Sequence, residues 1–279
     1  MKKIAPGFLI GGFQKCGTST LFHWLSQHPQ IEPASKKEID FFWVDSQYNK
    51  GNKWYLSHFK DQDNASEKQL SFEATPTYLF SEKAARRIFQ FNEHMKFLVL
   101  LRNPVERAYS QFMAYQRKRS DQQKLLDSAN KYDDPIHSFF KQLKNPSVFT
   151  DFDSHIQQEI NALKTGIDGL MPFLVEQGLY AIHLKKYFAI FPKENFCFIE
   201  IKEMVQDPKM VLENIFHFLG LTIPDFQSWD LESRNIGDYT SLPKVETLRE
   251  LFSFYAEHNQ SLFDLIGKSY GWEVAFDLA

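Results

Sequence analysis

A loop bracketed by glycines, with a lysine inside it and hydroxyls after it, has the residue types of an anion-binding site. It follows the apolar run 8–10 and extends from Gly12 to Thr20. Backbone N–H groups of such a loop and of the next helical turn converge on one point, where the helix dipole adds partial positive charge. The residues expected to contact the anion are Gly12, Lys15, Cys16, Gly17, Thr18, Ser19 and Thr20.

This loop departs from the nucleoside triphosphatase pattern G-x-x-x-x-G-K-[ST]. The two glycines match Gly12 and Gly17, but Thr18 stands where the lysine is expected, and the lysine lies earlier, at position 15. A triphosphatase also needs a carboxylate for Mg²⁺ after a second buried strand, whereas the best such strand, 96–101, is followed by Arg102. The pattern therefore favours chemistry other than metal-dependent nucleotide hydrolysis.

A second motif follows that strand and predicts another anion-binding helix start. Asn103 is a favourable N-cap and Pro104 fits the first helical position. Arg107 and Ser110 then lie three residues apart on one helix face, with Arg102 just ahead of the helix. Guanidinium groups and a hydroxyl in this arrangement are suited to a second phosphate.

Together the two motifs resemble those of the sulfotransferases that use 3′-phosphoadenosine 5′-phosphosulfate (PAPS). Residues 12–19 are similar to the family's 5′-phosphosulfate loop, and Arg-x-Pro-x-x-Arg-x-x-Ser at 102–110 is similar to its second motif. The resemblance implies that Arg102 and Ser110 bind the 3′-phosphate of the cofactor. It also implies PAPS as sulfuryl donor, 3′-phosphoadenosine 5′-phosphate (PAP) as product, and no required metal.

Two further segments, 36–42 and 72–78, resemble those of heparan-sulfate-type carbohydrate sulfotransferases. In that group a Glu-x-x-Phe-Phe stretch supplies the catalytic base, which implies Glu38 here. Those enzymes also have a lysine- and glycine-rich loop over the cofactor where this chain has 232–239, and we expect Arg234 to contact the 3′-phosphate. A solvated charged loop is the alternative for Glu38, in which case the base would be sought among His23, Asp40, Glu73 and His183.

Sulfuryl transfer requires in-line geometry and charge stabilisation. The sulfonate carries less negative charge than a phosphoryl group, so N–H donors and one cation can replace a metal. We expect Lys15 to stabilise charge on the leaving 5′-phosphate oxygen, and Glu38 to accept the proton of the attacking acceptor.

The elements that must position these residues follow from the apolar pattern. Runs at 8–12, 70–73, 96–101 and 196–201 alternate with helical stretches. This alternation predicts an α/β protein with a three-layer, P-loop-like fold, in which helices flank a central, mostly parallel sheet and ligands bind at the carboxyl ends of the strands. We expect a single sulfotransferase domain over 1–279 with a helical insertion at about 120–171. The insertion's aromatic residues are either core or an acceptor lid: Phe139, Phe140, Phe149 and Phe152.

Composition narrows the class of protein further. Hydrophobic residues make up 43% of the chain and the net charge is −3, which argues against general nucleic-acid binding, although 117–119 is a local basic run. Two cysteines are too few for a disulfide framework or a zinc site. No apolar run has membrane length and the first strand leaves no room for a signal peptide, whereas the Golgi enzymes that the resemblance suggests carry a membrane anchor. A cytoplasmic enzyme of bacterial type is therefore expected. Oligomeric state is not predicted.

The sequence therefore predicts a PAPS-dependent sulfotransferase acting on a hydroxyl or amine of a glycan or glycoconjugate. One alternative is a sulfotransferase for a small alcohol, a phenol or a carrier-tethered metabolite. Another is a P-loop nucleotide kinase or triphosphatase, and a third is a nucleotide-binding protein without catalytic activity.

Overall fold

The computed structural model describes residues 3–61, 70–133, 135–167, 170–234, 237 and 242–272. It divides the chain into two compact units. The sheet unit comprises Met1–Arg102 and His183–Ile236, and the helical unit comprises Asn103–Ile182 and Gly237–Ala279. The segment expected as an insertion belongs to the helical unit, together with the helix that follows Asn103.

All strands of the sheet are parallel, in the order β2-β3-β1-β4-β5. They are β1 (Pro6–Gly12), β2 (Ile31–Pro33), β3 (Leu70–Ala74), β4 (Lys96–Leu101) and β5 (Phe196–Glu200). With helices flanking this sheet, the predicted α/β architecture is confirmed.

Strand β1 lies at the centre of the sheet, and this position explains its apolar composition. Phe8, Leu9 and Ile10 are all completely buried. A strand covered on both faces by helices reads as a continuous apolar run rather than an alternating one. Its neighbours β3 and β4 run in the same direction, with Ile10 opposite Ala74 and Gly12 opposite Leu100, so all three strands deliver their following loops to one edge.

Strand β2 was missed by the sequence reasoning. It is three residues long, Ile-Glu-Pro, and pairs only with β3 at the edge of the sheet within the described residues. A proline is tolerated on an edge strand because its missing N–H faces away from the ladder. So short a polar segment has no period that would distinguish it from a loop.

The helices of the described residues cover most of the remaining chain. They are α1 (Thr18–Leu25), α2 (Asp45–Tyr48), α3 (Gly51–Leu56), α4 (Glu82–Phe91), α5 (Pro104–Arg119), α6 (Gln122–Lys131), α7 (Ile136–Gln142), α8 (Phe152–Lys164), α9 (Tyr180–Phe188), α10 (Ile201–Gln206), α11 (Pro208–Leu219) and α12 (Val245–Ile266). Short 3₁₀ helices occur at Pro76–Phe80, Glu176–Gly178 and Lys193–Asn195. None of the helices in these ranges combines the length and apolar character needed to cross a membrane.

The helical unit uses its aromatic residues as core. Phe139 and Phe140 are buried in one cluster and Phe152 in another, while the partly buried Phe149 packs against both. Of the two alternatives for these side chains, the structure therefore supports core packing.

The basic run at the end of α5 is also used within the helical unit. Lys118 Nζ donates to Ser128 Oγ at 3.0 Å and lies 4.9 Å from the ring centroid of Phe140. The guanidinium of Arg119 donates to the carbonyls of Val148 and Phe149. These two charges bind the unit's own chain, which leaves little of the run to form a basic surface patch.

Candidate active site

The loop after β1 has the backbone of an anion-binding site. Gly12 has φ 122°, and a Cβ added there would lie 2.6 Å from the carbonyl oxygen of Leu100, so only glycine fits. Gly17, with φ 88°, precedes the first residue of α1, and no side chain caps that helix. The N–H groups of an uncapped first turn therefore point from the helix as donors for an anion.

Arg102, the first residue of the second motif, contacts this loop. Its side chain is 5% exposed, and Nη1 donates to the carbonyl oxygen of Lys15 at 3.4 Å. Lys15 itself has φ 71°, a left-handed conformation that is unfavourable for a residue with a Cβ. Such conformations are found where surrounding structure imposes them, often at functional sites.

The predicted base follows β2 in a loop with the same kind of strain. Glu38 has φ 57° and Asp40 has φ 60°. The loop is tied to the carboxyl end of β3, because the Glu38 N–H donates to the carbonyl of Ala74 at 2.9 Å. The Glu38 side chain is 46% exposed, so its carboxylate is open to a bound acceptor.

Lys37 joins this loop to the anion site, and sequence reasoning did not identify it. Its Nζ donates to Ser19 Oγ at 2.7 Å and to Thr18 Oγ1 at 3.1 Å, and it lies 3.7 Å from Glu38 Oε1. Burial lowers the pKa of Lys37, while the neighbouring Glu38 carboxylate raises it. The only signal in the sequence was a lysine beside the predicted base, which a solvated charge run explains equally well.

Beneath the loop lies a buried carboxyl group. Glu73 is completely buried and accepts hydrogen bonds from Tyr55 (2.9 Å), Tyr78 (2.7 Å) and Thr75 (2.8 Å). Burial raises the pKa of Glu73 to about 7, against the opposing effect of the three hydroxyls and with a further contribution from Asp40. Because no part of Glu73 is exposed, it supports the site instead of meeting an acceptor.

Two of the other candidate bases, Asp40 and His183, are also accounted for by packing. Asp40 is 1% exposed, and its Oδ1 accepts from Trp43 Nε1 at 2.6 Å. Its N–H donates to Thr75 Oγ1 at 3.4 Å, which links the loop to Glu73. His183 is 2% exposed and packs against the rings of Phe13 and Phe80.

Arg234 lies beside α1, held by both its main chain and its side chain. The Arg234 N–H donates to Thr20 Oγ1 at 2.9 Å, and the Thr20 hydroxyl lies 3.4 Å from the Arg234 carbonyl. The guanidinium pairs with Asp230 and lies 3.0 Å from His23 Nε2. Residues 235, 236, 238 and 239 of the expected capping loop lie outside the described residues.

Ser110 belongs to the helical unit, on α5. The predicted start of this helix is observed, with Asn103 Oδ1 accepting from the Val105 N–H at 3.0 Å. Ser110 is 1% exposed. Arg107 differs from expectation: it is completely buried and donates to Gln111 Oε1 and to the carbonyl of Leu174, so its guanidinium serves the core of this unit.

The thiols and carboxylates of the described residues form neither a disulfide nor a metal cluster. Cys16 is buried in the loop, with Sγ 3.9 Å from the Gln14 carbonyl, and Cys197 is half-buried on β5. Within the described ranges, no group of three or more His, Cys, Asp or Glu side chains is arranged to hold a metal ion.

Comparison with known proteins identifies similar chains. Residues 5–245 match the family model described as "Sulfotransferase domain". The membrane-associated sulfotransferase kil1 of Dictyostelium discoideum is 24% identical over 96% of this chain and 66% of its own length. The human heparan sulfate glucosamine 3-O-sulfotransferase 5 is 24% identical over 96% of this chain and 74% of its own length. A crystal structure of a sulfotransferase from Alicyclobacillus acidocaldarius covers 97% of this chain and 99% of its own, with a TM-score of 0.68 and 24% identity, and shares the fold.

Proposed function

Because the chain belongs to the sulfotransferase family, we propose that it transfers a sulfuryl group from PAPS to a hydroxyl or amine of a glycan or glycoconjugate. The observation that carries this proposal is the contact between the predicted donor site, which is the anion-binding loop, and the loop of the predicted base. Through Lys37, the loop of the predicted base Glu38 reaches the hydroxyls of Thr18 and Ser19 in the anion site. Transfer of a group from donor to acceptor requires the donor site and the base to lie next to each other.

In the proposed step, the acceptor oxygen or nitrogen attacks the sulfur of PAPS in line with the bridging oxygen. The new bond to sulfur forms as the bond between sulfur and the 5′-phosphate oxygen breaks, and its electron pair leaves with that oxygen, which gives PAP. The acceptor proton passes to the Glu38 carboxylate. No oxidant or reductant is consumed.

The roles of the donor-side residues follow from charge and geometry. Loop N–H groups and the Thr18 and Ser19 hydroxyls are suited to the 5′-phosphate, and Lys15 to the charge that develops on the leaving oxygen. Arg102, held against the Lys15 carbonyl, offers a cation at the end of β4 for the 3′-phosphate. Ser110 and Arg234 are proposed as further 3′-phosphate contacts.

The acceptor class is supported by the relatives rather than by the site itself. The human relative is named for the glucosamine of heparan sulfate. We therefore propose a glycan acceptor, with small alcohols and phenols as the competing class.

The test uses the variant Glu38→Gln, which keeps the size of the side chain and removes its basicity. Purified protein is incubated with PAPS and panels of glycan oligosaccharides, small alcohols and phenols, and PAP binding is measured by calorimetry. We expect PAP affinity within about twofold of the parent and a loss of kcat of about 10²-fold or more, the range for a general base.

Glu82→Gln is the matched control, because Glu82 has the same 46% side-chain exposure and is also paired with a cation, Arg86. It should leave kcat unchanged. The proposed function would be contradicted if the parent protein bound neither PAPS nor PAP and hydrolysed ATP in the presence of Mg²⁺. Full kcat in Glu38→Gln would contradict only the choice of base, and sulfation confined to the small-molecule panels would contradict the glycan assignment.

A further inference from the structure

Two neighbouring lysines in the base loop have different surroundings. Lys36 is exposed, with Nζ 5.7 Å from the ring centroid of Trp54. The Lys37 side chain is only 22% exposed and its ammonium is directed inward to Thr18 and Ser19. Exposure of an ammonium to water is the favourable default, so the inward position of Lys37 needs a cause.

Structural stabilisation accounts poorly for this position. Taking an ammonium partly out of water is unfavourable, which is why burial lowers the pKa of Lys37. Lys37 Nζ is compensated by two hydroxyl acceptors and by a carboxylate oxygen at 3.7 Å, which is beyond ideal hydrogen-bond distance. The arrangement instead places positive charge where the donor loop and the predicted base come closest.

On the basis of the proposed function, we propose that Lys37 is a second catalytic cation, whose ammonium binds the non-bridging oxygens of the sulfuryl group during transfer. The reasoning is geometric. The 5′-phosphate of the donor would lie at the hydroxyls of Thr18 and Ser19, and the acceptor group that loses its proton would lie at the Glu38 carboxylate. In-line transfer puts the sulfur between these points, and Lys37 Nζ contacts both sides.

Charge considerations favour two cations with separate tasks. Lys15 lies within the loop and is suited to the leaving oxygen. The sulfuryl oxygens are on the far side of the breaking bond, nearer the acceptor, and need their own donor during the transfer. A cation carried on the base loop supplies it without a metal.

The proposal predicts a binding preference that can be measured without knowing the acceptor. PAPS differs from PAP only by the sulfuryl group, so a residue that contacts this group contributes to PAPS affinity and little to PAP affinity. For Lys37→Met we expect the ratio of PAPS to PAP affinity to fall by about tenfold, the usual scale for losing one charged hydrogen bond. Lys37→Arg keeps the cation and should retain most of the preference.

Lys36→Met is the matched control, because it removes a lysine from the adjacent, exposed position. Its affinity ratio should equal that of the parent, and thermal unfolding of all variants identifies any that fail to fold. With an accepted glycan or phenol, kcat of Lys37→Met should also fall about 10²-fold, the scale for removing one transition-state donor.

The possible results of these measurements can be told apart. An unchanged PAPS to PAP ratio in Lys37→Met overturns the proposal; if that unchanged ratio comes with an equal loss of affinity for both nucleotides, Lys37 is a phosphate ligand. If Lys37→Met does not fold, a Lys37→Arg variant with the preference of the parent supports the proposal, and one that loses the preference overturns it. A parent that binds neither nucleotide contradicts the proposed function instead.

Discussion

The buried carboxyl group of Glu73 makes the stability of this protein depend on pH in an unusual direction. Most carboxylates have a lowered pKa in the folded state, so that stability rises with pH. Burial instead raises the pKa of Glu73 from 4.5 to about 7. Between these values the folded protein binds more protons at this site than the unfolded chain, and its stability therefore falls as pH rises.

The magnitude follows from the size of the shift. A change in pKa from 4.5 to about 7, at about 1.4 kcal/mol for each pKa unit, corresponds to about 3–4 kcal/mol. This stabilisation is fully present below pH 4.5 and is lost once the pH has risen through about 7. Most of the change falls between pH 5 and pH 8.

The perturbation is Glu73→Gln, which removes the titration and keeps the shape. The amide oxygen cannot accept from all three hydroxyls, so the variant carries a constant penalty of about 1–3 kcal/mol. The assay is urea unfolding of both proteins at pH 5, 6, 7 and 8. We expect the stability of the variant relative to the parent to improve by about 2–3 kcal/mol from pH 5 to pH 8.

Glu82→Gln, which changes an exposed carboxylate, serves as the control and should show only a small difference in stability from the parent. The reasoning would be refuted if the difference between Glu73→Gln and the parent were constant over this pH range. A difference that changes in the opposite direction would mean that the three hydroxyls outweigh burial and that the pKa of Glu73 is lowered.

Two further predictions concern the anion site. Gly12→Ala should destabilise the fold by about 2 kcal/mol or more in thermal unfolding, because Gly12 has φ 122° and the added Cβ would lie 2.6 Å from the Leu100 oxygen. Gly51 also has a positive φ, but an added Cβ would meet nothing within 4 Å, so Gly51→Ala should lose less stability. Equal losses of stability in the two variants would contradict the steric argument. Arg234→Ala should weaken calorimetric PAP binding by about tenfold, as expected for one charged contact, and unchanged affinity would remove Arg234 from the 3′-phosphate site.

The elements around the candidate site that the sequence predicted correctly are those encoded by local signals. Strand β1, its glycine loop and α1 follow one another without interruption, and the start of α5 is encoded by Asn103 and Pro104. Each depends on backbone preferences of neighbouring residues, which a sequence displays directly.

The parts that were missed depend on contacts between distant residues. Lys37 meets Ser19 across 18 positions of the chain, and Arg107 meets the Leu174 carbonyl across 67. Which way a long cationic side chain turns is decided by acceptors that only the folded chain assembles. The positive φ of Glu38 and Asp40 is likewise imposed by β3 and its following residues, since neither residue type requires it.

Because Cys16 is buried in the anion-binding loop, its thiol can serve as a labelling probe for opening of that loop. Its thiol has no exposed surface, whereas Cys197 on β5 is partly accessible. An alkylating reagent can reach Cys16 only while the loop is open, so the rate of labelling at this position counts opening events, with Cys197 as an internal reference for reagent strength. The labelling rate of Cys16 would therefore report how often the anion-binding loop opens.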